Sequence, residues 1–118
     1  MKQSEIKFTV TLDDNKMPQK IDWSATDTNK ESTSNAVMIA LWDAEEKNTL
    51  RIDLWTKDMM VDEMKRFYHQ NLLSMADSFE RATGEVEAAK AMRNFAQEFG
   101  KRLNLVMENS FYSLGKKK

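Results

Sequence analysis

The chain changes rhythm near residue 60. Before that point apolar and polar residues alternate with period two; after it apolar residues recur every three or four positions. The first pattern belongs to strands with one buried face, the second to amphipathic helices. In EIKFTVTL, Ile6, Phe8, Val10 and Leu12 point one way and Glu5, Lys7, Thr9 and Thr11 the other, which predicts a half-buried strand. DDNKMP, residues 13–18, consists of turn formers. KIDWSA alternates again, with Ile21, Trp23 and Ala25 in phase, and completes a hairpin with Trp23 in the core. TDTNKESTSN, residues 26–35, is polar and aperiodic and reads as a mobile loop.

AVMIALWD is apolar on both faces. Val37, Ile39 and Leu41 form one row; Met38, Ala40 and Trp42 form the other. The polar segment AEEKN returns the chain into TLRIDLWT, where Leu50, Ile52 and Leu54 oppose Arg51, Asp53 and Trp55. Two strands joined by so short a polar link predict an antiparallel hairpin.

From Val61 the apolar positions are Val61, Met64, Tyr68, Leu72, Met75, Phe79 and Ala82, one face of a helix. Asp62–Arg66 and Asp77–Arg81 are spaced as i,i+4 pairs on the opposite side. Asp58 is the expected N-cap, and Gly84 the expected C′ residue, since glycine tolerates a left-handed backbone. A second helix is predicted from about Glu85 to Asn109. Its stripe is Ala88, Met92, Phe95, Phe99 and Val106, with Leu103 off-centre and Gly100 tolerated inside it. The tail FYSLGKKK is expected to fray.

Strands followed by helices make an α+β domain: an antiparallel sheet of about four strands, then a C-terminal two-helix hairpin packed on one face. A chain of 118 residues is expected to be one domain, with a β-meander over 1–56, the helical hairpin over 57–110 and the basic tail over 111–118.

Composition narrows the function. The net charge of −1, with acids and bases interspersed along both helices, argues against a nucleic-acid binder. With no cysteine there is no disulfide, thiolate metal site or cysteine nucleophile. The N-terminus lacks the apolar run of a secretory signal, and AVMIALW is too short to span a bilayer, so a cytoplasmic protein without membrane insertion is expected. His69 is the only histidine and is expected at the surface or boundary of its helix, without the partners a zinc site needs. No nucleophile elbow, P-loop or dinucleotide fingerprint is present. Asp53, Asp58, Asp62 and Glu63 are explained by helix capping and solvated charge rather than acid–base work. No catalytic, cofactor or metal site is expected.

The tryptophans carry more information. If the aliphatic rows of the second hairpin face the core, then Met38, Trp42, Arg51, Asp53 and Trp55, with Ala40, lie on the far face, framed also by Lys7. Aromatic anchors with a charged rim are the composition of a protein interface. The alternative is that the indoles fold over the sheet edge, or that the strand phase is reversed. Leu73 falls on the polar side of the first helix and is expected to be exposed.

The stretches SEIKFTVTLDDNKMPQKIDWSATD and RIDLWTKDMMVDEMKRFYHQNLLSMADSFERATG resemble the GldC family of gliding motility-associated proteins of Bacteroidetes. The resemblance spans Ser4 to Gly84 and is most specific from Arg51 to Phe67. It implies a small soluble protein without an export signal, associated with the gliding machinery, not a motor and without recognised catalytic residues. It transfers no functional motif residue by residue. The leading expectation is an accessory protein that binds a second copy of itself or a gliding component. The competing one is a small-molecule-binding module or enzyme with a pocket between sheet and helices lined by Met and Phe, motivated by nine adaptable methionines.

Overall fold

The computed structural model describes residues 2–105. Five strands precede two helices: β1 Ile6–Leu12, β2 Pro18–Ala25, β3 Lys30–Ser34, β4 Ala36–Trp42, β5 Thr49–Trp55, α1 Val61–Thr83 and α2 Val86–Arg102. The α+β class is as the rhythm predicts. The chain falls into two compact units divided between Met60 and Val61.

In the first unit the strands form two sheets rather than one: a three-stranded sheet in the order β1-β2-β3 and a two-stranded sheet of β4 and β5, antiparallel throughout. The fifth strand comes from the segment expected to be a mobile loop. Only residues 26–29 form a turn, and β3 pairs with β2 from Ile21↔Ser34 to Ala25↔Lys30. The aperiodic composition misled because β3 adds backbone hydrogen bonds and no apolar row: Ser32 and Ser34 lie opposite Trp23 and Ile21. The register places Ile6, Phe8, Val10, Ile21, Trp23 and Ala25 on one face, as their alternation requires. Ile21 is fully buried and Trp23 half-buried, but Ile6, Phe8 and Leu12 are exposed, so β1 is not the half-buried strand expected.

The turns obey one local grammar. At β1–β2, Asp13 Oδ1 accepts from the backbone N–H of Asn15 at 2.8 Å and of Met17 at 3.0 Å. At β4–β5, Asp43 Oδ2 accepts from those of Glu45 at 3.2 Å and Glu46 at 2.7 Å. An aspartate that folds back onto its own backbone initiates a turn. A residue in the left-handed region closes each of the three turns: Lys16 (φ 64°), Asn29 (φ 54°) and Lys47 (φ 54°). Asp13 also lies 3.6 Å from Lys57 Nζ, and its carboxyl is held below the ordinary aspartate range, first by the Met17 N–H.

The second unit is a helical hairpin. α1 begins at Val61, so Asp58 is not its N-cap; Asp58 lies within a turn closed by the Met59 N–H on Thr56 O at 3.1 Å. Gly84 ends α1 as expected, with φ 74° and its N–H on Glu80 O at 2.8 Å. α2 stops at Arg102 instead of Asn109. Asn104 takes φ 62°, its N–H bonds Lys101 O at 3.0 Å, and the Leu105 N–H bonds Gly100 O at 2.8 Å. That pair of bonds is a Schellman stop, which asparagine supports nearly as well as glycine. Val106 and the basic tail lie outside the described residues.

The stripe of each helix is rotated from the one expected. Ala76 of α1 and Ala89, Ala96 and Gly100 of α2 are buried, whereas Val61, Tyr68, Met75 and Phe95 are exposed. Ala88 is likewise exposed, while Leu73 is half-buried, not exposed. Small residues two helical turns apart let two backbones approach closely, and a count weighted by bulk overlooks them. Phe79, Met92 and Phe99, expected on the core stripes, are half-buried, and Phe95 stacks on Phe99 at 5.9 Å between centroids.

His69 is the sharpest correction. Expected at the surface or boundary of its helix, it is 1% exposed. Its Nε2 lies 2.9 Å from Ala96 O, so Nε2 carries the hydrogen and donates across the hairpin. Burial pushes its pKa below the ordinary histidine value, and the Ala96 bond opposes that shift without cancelling it. Arg93 of α2 clasps α1 from outside, with Nη2 2.9 Å from Asp77 Oδ1 and 2.8 Å from Glu80 Oε1. Asp77, expected to pair with Arg81 on its own helix, therefore pairs across the hairpin.

Candidate protein-interaction face

The two-stranded sheet positions every residue of the candidate interface. β4 and β5 pair from Ala36↔Trp55 through Met38↔Asp53 and Ala40↔Arg51 to Trp42↔Thr49. Directly opposed residues of an antiparallel pair share a face. Met38, Trp42, Arg51, Asp53 and Trp55 therefore lie on one face, together with Ala36, Ala40 and Thr49. The aliphatic row Val37, Ile39, Leu41, Leu50, Ile52 and Leu54 lies on the other.

The face is arranged differently from a simple tryptophan patch. Trp55 stands beside Ala36 at one end of the ladder and Trp42 beside Thr49 at the other. Those levels are six residue steps apart along the strand, about 20 Å at the rise of an extended chain. Trp42 is 68% and Trp55 53% exposed. Between them lies a bidentate ion pair: Arg51 Nη2 to Asp53 Oδ1 at 2.9 Å and Nε to Asp53 Oδ2 at 3.2 Å. Strand residues two apart point the same way, and the planar guanidinium fork matches the carboxylate. Lys7 does not frame this face, because β1 belongs to the other sheet and Lys7 lies 3.8 Å from Glu5.

Burial along the hairpin is graded. Thr56 and Val37 are buried where β5 ends and β4 begins, and Leu41 and Leu50 are exposed near the Asp43–Asn48 turn. The Thr56 N–H bonds Asn35 O at 2.8 Å and extends the ladder past Trp55, while Asn35 is the single residue between β3 and β4. Chain geometry thus anchors one end of the face and leaves the other projecting.

Elsewhere in the first unit a depression lined by Lys7, Thr9, Asp22, Ser24, Glu31 and Thr33 lies on the polar side of the three-stranded sheet and is open to solvent. Among the described residues no three His, Asp or Glu side chains are grouped to hold a metal ion, and no helix is long and apolar enough to cross a membrane.

Residues 18–105 match the family model described as gliding motility-associated protein GldC-like. The chain belongs to that family. The match covers β2 through the end of α2, so the candidate face lies wholly inside the region that defines the GldC-like family. Membership associates the protein with gliding motility. No curated protein and no solved structure matches the chain.

Strand phase alone places Met38, Trp42, Arg51, Asp53 and Trp55 on one face, as the register does. The residue that sequence reasoning missed is His69, whose signal was available in retrospect: it lies seven positions before Ala76, two helical turns along the same face.

Proposed function

We propose that this GldC-like chain is a non-catalytic, cytoplasmic accessory protein of bacterial gliding motility that works by binding another protein through the outer face of β4 and β5. The observation that carries this reading is the exposure of Trp42 and Trp55 on one face with the Arg51–Asp53 pair between them. Indoles left in water forgo burial worth roughly 2 kcal/mol or more each, which a partner recovers. A bidentate pair held within the same strand presents both signs of charge in a fixed geometry, which serves selection of a partner more than raw affinity. The partner is a component of the gliding machinery or a second copy of the chain.

The competing reading, a small-molecule-binding module or enzyme, calls for an enclosure lined by Met and Phe. The open polar depression over the three-stranded sheet is not of that kind. The deciding experiment is affinity capture from a gliding bacterium with the wild type and with Trp42→Ser/Trp55→Ser. A folded double variant that loses a defined gliding component supports the proposal. A double variant that unfolds, or that captures the same component as well as the wild type, defeats it.

A further inference from the structure

The outer edge of β5 carries a second message. The ladder is bracketed by the Thr56 N–H on Asn35 O and the Asp43 N–H on Asn48 O, which fixes the alternation between them. Leu50, Ile52 and Leu54 direct their N–H and C=O groups toward β4, and Thr49, Arg51, Asp53 and Trp55 direct theirs to the opposite edge. Among the described residues no strand flanks β5 on that side. A two-stranded sheet is marginal by itself, so an added strand is the natural way to complete it.

The sequence of that edge is self-complementary. Read around Ile52, TLRIDLW places leucine symmetrically at Leu50 and Leu54 and opposite charges symmetrically at Arg51 and Asp53. We propose that two copies of this chain associate edge to edge through antiparallel β5 strands, with the two-fold axis at Ile52, to form a continuous four-stranded sheet. In that register Arg51 meets Asp53 of the second copy, Leu50 meets its Leu54, and Thr49 meets its Trp55. Every outward-directed backbone pair meets another outward-directed pair, as an antiparallel ladder demands.

Neighbouring symmetric registers are disfavoured by charge. Centring the axis on Arg51 sets two guanidinium groups opposite each other, and centring it on Asp53 sets two carboxylates opposite each other. Like charges directly across a ladder destabilise it. Charged side chains at a sheet edge ordinarily discourage association. Here the two signs discourage every symmetric register that opposes like charges and favour the one in which all seven residues of β5 overlap. The contact is isologous, so it closes at two copies and does not propagate. It deepens the protein-binding reading by naming one partner, but it uses the edge of β5 rather than the tryptophan face.

The test is a charge exchange read by sedimentation velocity, with circular dichroism to confirm folding. Arg51→Asp gives an edge with two acids, and Asp53→Arg gives one with two bases. Each variant alone is expected to weaken self-association at least tenfold, and an equimolar mixture is expected to restore it as a heterodimer. An independent arm uses the absence of native cysteine. Ile52→Cys lies on the axis, where paired Cα atoms are about 4.5 Å apart, so mild oxidation links two copies. Leu50→Cys lies four strand positions from its own symmetry mate, about 14 Å along the sheet, and does not link. Wild type that remains monomeric at all concentrations, single variants that associate like wild type, or equal crosslinking at positions 50 and 52 would each overturn the inference. Trp42→Ser separates the edge from the tryptophan face: it lies on β4, away from this edge, and is expected to reduce partner capture while leaving the dimer intact.

Discussion

The two units of this protein solve the problem of burial in different ways. The helical unit closes on itself through small residues: Ala76, Ala89, Ala96 and Gly100 are buried, His69 bonds across the gap, and Arg93 clasps the outside. The strand unit buries Ile21 and Val37 but leaves Ile6, Leu41, Leu50, Ile52, Trp42 and Trp55 exposed, and two of its strands form a two-stranded sheet of their own. Both units leave some large apolar side chains outward, among them Val61, Tyr68, Met75 and Phe95 of the helices, but only the strand unit exposes tryptophan. The exposed indoles are why the proposed interface is placed on the strands, although the helices hold the longer apolar stripes in the sequence.

The largest effect that can break this contrast is overpacking. Ala96→Leu places a branched side chain where the hairpin has no room and is expected to cost about 3 kcal/mol. Ala40→Leu, on an exposed strand position, should stay within about 0.5 kcal/mol. Urea unfolding of both variants checks the pair, and equal costs would mean that the helices are not closely packed. Next comes Gly84→Ala. An added Cβ would meet nothing within 4 Å, so its cost is the left-handed backbone alone, about 1 kcal/mol. In the strand unit, Lys16→Gly and Lys47→Gly relieve positive φ angles and are each expected to raise stability by about 0.5 kcal/mol, visible as a shift in the urea midpoint.

The finest test is a slope with pH. His69 has a folded pKa below its ordinary value of 6.5, so the unfolded chain takes up the proton first. Its contribution is whole above pH 6.5 and declines as pH falls from there through the folded value. Asp13 has a folded pKa below 3.8, so its contribution is whole above that value and declines only as pH falls further. Helix loss followed at 222 nm should therefore become easier in mildly acidic solution. Tryptophan fluorescence, which reports only the strand unit because Trp23, Trp42 and Trp55 all lie there, should carry the lower window. His69→Gln is expected to remove the upper window and leave the lower one. An upper window that persists in this variant would show that another group titrates there.

The strand half was the more legible in the sequence because period two leaves only two faces, and any consistent apolar row decides between them. Val37, Ile39, Leu41, Leu50, Ile52 and Leu54 share a face, and Arg51, Asp53 and Trp55 share the other, as the alternation required. β3 escaped because KESTS contributes hydrogen bonds without an apolar row. In the helices, existence and the Gly84 stop were readable, but rotation was not. A helix offers a continuous choice of face, and bulky Tyr68, Met75 and Phe95 outweighed the alanines that the packing selected. His69 falls on the flank of the stripe drawn through the bulky residues, and it is buried because the packed face is the one that carries Ala76, seven residues on. Of the candidate site, phase could place the residues on one face. It could not show that the tryptophans stand at opposite ends, because that follows from the pairing register.

Every contact ladder described above joins neighbours in the chain: β1 with β2, β2 with β3, β4 with β5, α1 with α2. Such wiring has a kinetic meaning. Each pairing closes a loop of a few residues, so little chain entropy must be surrendered before the first bonds form. Proteins built this way fold near the fast end of their size class. During synthesis each hairpin can zip as soon as its second arm is available, without waiting for a distant segment. The β4–β5 ladder can therefore form without waiting for the helical hairpin.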